Sequence, residues 1–125
     1  MRHHEDAEQA LLFEWASYHP TLRCMFAIPN GAHLAGDARQ RGIQMGRLKK
    51  QGFKSGVSDI FLPIPVGDYH GMFIEMKRRM QDGPTKVSRK QQDFLDTMKA
   101  TGYHVMICYG ADHAIADIKD YLEWS

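Results

Sequence analysis

Apolar residues recur at helical spacing near the start of the chain, where Leu11, Leu12, Trp15 and Ala16 form one stripe and Tyr18-His19-Pro20 closes it. This predicts a helix over residues 5 to 18. Glu5, Gln9, Leu12 and Ala16 run along one edge of the stripe, and Glu8 sits near its middle. Acids on a core-facing stripe either favour the helix dipole or have a role inside the fold. Cys24 to Ile28 reads as a short apolar strand stopped by Pro29-Asn30-Gly31. A second helix is expected from Asp37 to Lys50, weakened by Gly42 and Gly46 by about 1 kcal/mol each.

The strand pattern returns at Ser58 to Leu62 and at Met72 to Lys77, joined by a turn-rich segment that predicts a hairpin or meander. Gln91 stands three residues after Ser88, so the pair fits a capping box opening a helix to Ala100. That fit alone would explain the glutamine, although its side chain also falls on the inward side with Phe94 and Leu95. Met98 continues that inner face, and Gly102 stops the helix. Val105 to Tyr109 is a continuous apolar run and reads as a buried strand. Asp112 is expected to cap a final helix with Ile115, Ile118 and Leu122 inward. The order α-β-α-β-β-α-β-α predicts an α/β fold, a mixed central sheet of about four strands with helices on both sides.

The two middle strands carry charge where strands are normally apolar. Side chains alternate along a strand, so Glu75 and Lys77 share one face while Ile74 and Met76 share the other. A buried charge costs several kcal/mol unless it is paired or bound to metal. Asp59, at the start of the first of these strands, adds a second carboxylate.

Composition narrows the class. The chain has 125 residues, 43% of them hydrophobic and 25% charged, which suits one soluble domain over residues 1–125. No apolar run approaches the ~20 residues a membrane span needs, and the N-terminus lacks the pattern of a signal peptide. Cys24 and Cys108 form no CxxC pair and read as core filling in a reduced, cytoplasmic protein. The eight methionines read the same way. The histidines lack zinc-ligand spacing. His33 and Asn30 follow a strand end and are placed either at a polyanion-facing surface or simply in a turn. A net charge of +1 decides nothing, but its distribution does. Six bases, among them Arg47, Lys49, Lys50 and Lys54, face one acid between Asp37 and Lys54. Such a run is a solvated face or a phosphate-contacting one. Arg78 and Arg79, after the second charged strand, carry the same two readings with a lean to contact.

Hydrolysis of a phosphodiester requires a nucleophilic water, an offset for phosphate charge and a stabilised leaving oxygen. One or two Mg²⁺ ions can provide all three. Mg²⁺ takes oxygen ligands and keeps several waters, so two or three acids from different elements suffice. Asp59, Glu75 and a first-helix glutamate fit that requirement, with a strand backbone carbonyl such as that of Met76 as a further ligand. Lys77 would then orient the attacking water or offset developing charge.

Asp59 followed by Glu75-Met76-Lys77 resembles the Asp…(Asp/Glu)-x-Lys core of the PD-(D/E)XK nuclease superfamily, whose fold is restriction-endonuclease-like. More narrowly, the chain is similar to the VRR-NUC (virus-type replication-repair nuclease) domain. Glu5-x-x-x-Gln9, Pro29-Asn30-Gly31, Leu48-Lys49-x-x-Gly52, Gly56-Val57-Ser58-Asp59-Ile60, Ile74-Glu75-Met76-Lys77, Ser88-x-x-Gln91 and Gly102-Tyr103-x-Val105 carry the resemblance in order along the chain. Ser58 departs from the pattern, standing where the superfamily name puts proline.

The resemblance implies that Asp59 and Glu75 bind Mg²⁺ or Mn²⁺, with Lys77 catalytic and Gln91 supporting. It favours Glu5 as the helical acid, with Glu8 as the other choice. It also implies a phage or bacterial homodimer cutting branched DNA such as four-way (Holliday) junctions, in replication or repair. Nicking, end-directed or restriction-like cutting, and a non-catalytic DNA-binding module, are the other readings.

Overall fold

The computed structural model describes residues 2–29 and 34–124, with the backbone alone for residues 2 and 3. Asn30 and His33 lie outside the described residues. Four helices and four strands follow the predicted order: α1 (Arg2–Ser17), β1 (Phe26–Ala27), α2 (Ala38–Lys50), β2 (Ile60–Leu62), β3 (Met72–Lys77), α3 (Arg89–Ala100), β4 (His104–Tyr109) and α4 (Ala111–Leu122). Short 3₁₀ turns at Pro20–Cys24 and Met80–Asp82 complete the described elements.

The strands form one mixed sheet in the order β1-β2-β3-β4. β1 with β2 and β2 with β3 are antiparallel, and β3 with β4 is parallel. Ile74 lies opposite Ile60, and Glu75 beside Ile107. All six residues of β3 are buried, because the strand has a neighbour on each side and helices on each face. Ile60, Leu62, Met72, Ile74 and Met76 pack with Leu12 and Ala16 of α1 and Ala114 and Ile118 of α4 in one core. Each large aliphatic side chain removed from water there contributes roughly 1.5–3 kcal/mol. The opposite face belongs to α3, where the Phe94 ring stands edge-on to Phe73 at 5.2 Å. Glu75 and Lys77 alternate onto that same face as Phe73.

Several sequence expectations are corrected. The first strand shrinks to two exposed residues. Pro20 opens a 3₁₀ turn that takes in Cys24, so Cys24 is exposed and only Cys108 is core filling. Met80 is likewise exposed. β4 has the apolar composition of a central strand, yet it is an edge, with only Cys108 fully buried. Two helices cover its faces and leave its rim open, and composition does not distinguish that from a central position. Finally, α4 starts at Ala111 with Gly110 as its N-cap, so Asp112 sits in the first turn and caps nothing.

Candidate active site

β3 aims Glu75 and Lys77 beneath the N-terminus of α3, and both are almost wholly buried, at 1% and 5% exposure. Ser88 and Gln91 form the expected capping box, with Gln91 N donating to Ser88 Oγ at 3.1 Å and Ser88 N donating to Gln91 Oε1 at 2.9 Å. The same glutamine also faces the sheet. Its Nε2 donates to Glu75 Oε2 at 3.0 Å, and its Oε1 accepts from Lys77 Nζ at 3.3 Å. The two readings left open by the sequence hold together in one side chain. Lys77 Nζ itself stands 3.8 Å from Glu75 Oε2. Asp59 reaches across from the start of β2, and its Oδ2 accepts from the Met76 N–H at 2.8 Å. That bond sets a second carboxylate against Glu75.

Two acids and one lysine leave the centre short of positive charge. Burial, followed by the neighbouring Asp59 carboxylate, pushes the Glu75 pKa up to about 9, with Lys77 pulling the other way. The second carboxylate oxygen, Glu75 Oε1, is buried without a hydrogen-bond partner among the described residues. An orphaned buried carboxylate oxygen is costly, and a hard divalent cation is the species that such a pair of oxygen donors accepts. The residues present therefore fit a Mg²⁺-class ion.

These groups open into a cleft of about 250 Å³, lined by Glu5, Asp6 and Gln9 of α1 together with Asp59, Glu75, Met76, Lys77 and Gln91. Glu5 is brought to the site but stands back from the central pair. No oxygens of Glu5, Asp59 and Glu75 all approach within 4.8 Å of one another. Glu8 is not at the cleft. It lies on the buried line with Leu12 and Ala16, and its Oε1 accepts from Ala111 N at 2.8 Å. Asp6 and Gln9 went unassigned by sequence reasoning. Gln9 served only as a spacing mark four residues after Glu5, and Asp6 is exposed, so no core pattern announces it.

The basic residues divide. Arg47, Lys49 and Lys50 occupy the exposed last turn of α2, a helix with no buried residue, and Lys54 is exposed just beyond. Arg78 donates to the Pro84 carbonyl, with its Nε buried and unpartnered. Arg79 is held by Asp82 through bonds of 2.9 and 3.1 Å, and lies 3.8 Å from Glu8. These are protein partners, and about half of the Arg79 side chain stays exposed.

Two other features do not compete. Cys108, His113 and Asp117 bring potential ligand atoms together, but they form a hydrogen-bonded chain. Cys108 Sγ donates to Asp117 at 3.3 Å, His113 Nε2 lies 3.1 Å from Asp117, and His113 Nδ1 accepts from Tyr109 N at 2.9 Å. A metal on Nε2 would require a proton on Nδ1, where an N–H already points. A second cleft, of about 720 Å³, is lined by aromatic rings and by Asp68, Asp117, Asp120 and Glu123. It is acidic, lacks any lysine or arginine lining, and lies away from the convergent carboxylates.

The mixed sheet, the helices on both faces and the Asp-Glu-Lys centre on two adjacent strands define a restriction-endonuclease-like α/β protein. The chain belongs to the VRR-NUC domain family, whose model matches residues 2–112. Membership makes it a nuclease domain of the PD-(D/E)XK type, with DNA as the implied substrate. A solved structure described as a VRR_NUC domain protein superimposes with a TM-score of 0.79 at 22% identity, covering 98% of this chain and 90% of that one. At that identity the likeness speaks for the fold. No curated protein matches. Among the described residues no helix is long and apolar enough to cross a membrane.

Proposed function

We propose that this chain is a divalent-metal-dependent endonuclease that cuts branched DNA, four-way junctions foremost, as a homodimer. One observation carries the metal dependence. Glu75 is a buried carboxylate set against Asp59, with one oxygen unpartnered and too little positive charge nearby. Asp59 and Glu75 would hold Mg²⁺ or Mn²⁺, with the Met76 carbonyl and Glu5 completing the oxygen set. When bound, the ion supplies the acidified water and the charge offset that phosphodiester hydrolysis needs.

The chain's own residues do the rest. Gln91 ties the Glu75 carboxylate and the Lys77 ammonium together through its two amide atoms. Lys77, buried and rigid, directs an N–H towards the attacking water or the developing phosphate charge, where a preorganised donor is most effective. The exposed bases of α2 and Lys54 hold the phosphate backbone, contributing affinity without sequence preference.

The junction preference and the dimer are carried over from the family resemblance, and a dimer would hold two centres at a fixed separation for paired cuts. The test compares a four-way junction, a flap and a linear duplex, with Mg²⁺ or with chelator. Matched nicks across the junction that vanish with chelator are expected, and progressive shortening of the duplex would overturn the junction reading. Asp59→Ala, Glu75→Ala and Lys77→Ala should each lower cleavage by at least ~10²-fold. Cutting retained by Glu75→Ala would remove it from the centre.

A further inference from the structure

The Glu8 carboxylate, almost fully buried on α1, has a partner 103 residues away. Its Oε1 accepts from the Ala111 N–H, the first free donor of α4. The neighbouring Gly110 N donates in turn to the carbonyl of Lys77 at 2.9 Å. Glu8 is thus joined, through two consecutive residues of one tight turn, to the end of the strand that carries Glu75 and Lys77. Gly110 has φ +97°, and a Cβ there would meet Arg79 Cγ at 2.7 Å and Glu8 Oε1 at 3.1 Å, so the turn is shaped around the carboxylate. Glu5, one helical turn before Glu8, lines the cleft.

We infer that Glu8 is a positioning residue: by clamping α1 to the Gly110–Ala111 turn it sets Glu5 at the height of the Asp59–Glu75 pair and so tunes cation affinity. The inference rests on the proposed function, in which Glu5 belongs to the oxygen set. α1 has no strand pairing to fix its slide along the sheet, and a hydrogen bond to a backbone N–H does so directionally. The carboxylate also meets the positive end of α4, while its other oxygen faces Arg79. Residues behind a metal ligand commonly change affinity by 10–100-fold.

The test uses the full chain and titrates Mn²⁺ by calorimetry at a temperature where circular dichroism shows each variant folded. Glu8→Gln keeps the reach and the acceptor oxygen, whereas Glu8→Asp keeps the charge but is one methylene short. Glu8→Gln should bind Mn²⁺ within about threefold of the parent, and Glu8→Asp roughly tenfold or more weaker. The Ala111 amide should exchange faster only in Glu8→Asp. Adding Glu8→Asp to Glu5→Ala should weaken binding no further than Glu5→Ala alone, because the two act through one ligand. Parent-like affinity in Glu8→Asp, with Glu5→Ala weakened, overturns the clamp and leaves the proposed function standing. Parent-like affinity in Glu5→Ala removes Glu5 from the oxygen set and takes the clamp's role with it.

Discussion

Glu75 carries a proton in the folded chain that it would lose in the unfolded one. Unfolded, it titrates near its ordinary 4.5, and folded it holds the proton to about 9. Between those values the folded state binds more protons, so stability of the chelated protein should fall as pH rises through that window. Glu75→Gln should flatten the fall, and thermal melts from pH 5 to 9 in chelator read both. Melts that are parallel for the two proteins would show that the carboxylate is not desolvated. The same linkage predicts that Mg²⁺ raises the melting temperature more at pH 8 than at pH 5, because the ion replaces a proton. One residue earlier than Asp59 lies a different cost. Ser58 is wholly buried, and its hydroxyl has no hydrogen-bond partner among the described residues. Ser58→Ala should stabilise the chain by about 1 kcal/mol, a gain of a few degrees in melting temperature. A lower melting temperature would mean that the hydroxyl is satisfied in solution.

At the scale of elements, α2 differs from the other helices. It buries no residue and is anchored by its own capping box at Asp37 and Gln40. Its bases point outward, and among the described residues only Arg41 has a protein partner, the Gly36 carbonyl. Replacing Lys49 and Lys50 with glutamine should weaken DNA binding about equally for all sequences and reduce the salt slope by roughly 2. An unchanged slope would make the run a solvated face. The middle strands and α3 were readable from sequence because alternation, capping chemistry and charge placement all agreed there. The start of α4 was not. Asp112 has the chemistry of a cap, but the true acceptor is Glu8 from the far end of the chain, and no local pattern encodes a partner 103 residues away. The sequence left Glu5 and Glu8 both open for the same reason, since both acids sit on one side of α1 and only tertiary contacts separate them.

The whole molecule shows which parts of the architecture are local and which are collective. The order of elements, the mixed sheet and the pairing of Asp59 with Glu75 follow from short-range periodicity and one hairpin, so a linear reading reached them. That β4 closes the sheet as an edge, and that β1 is only two residues long, depends on how many strands assemble. Arg79 shows the same limit on the surface. Its neighbours in sequence leave it phosphate-facing or simply exposed, and only the 3₁₀ turn reveals Asp82 against it. Charge is also sorted across the molecule. The acidic rim along β4 and α4 should repel a polyanion, whereas α2 and Lys54 attract one. Chemical footprinting of a bound junction should therefore protect the lysines of α2 and leave Lys119 of α4 accessible. Equal protection of both would contradict that polarity.

Gln91 gives the molecule a built-in fuse. Because one amide both opens α3 and joins Glu75 to Lys77, the first turn of that helix cannot fray without losing both of those hydrogen bonds. Helix ends open far more readily than cores, so under the proposed function the fraction of molecules ready to cut would follow the fraction with that turn closed. Strengthening the turn at its cap, as by Ser88→Asp, would then raise turnover through readiness.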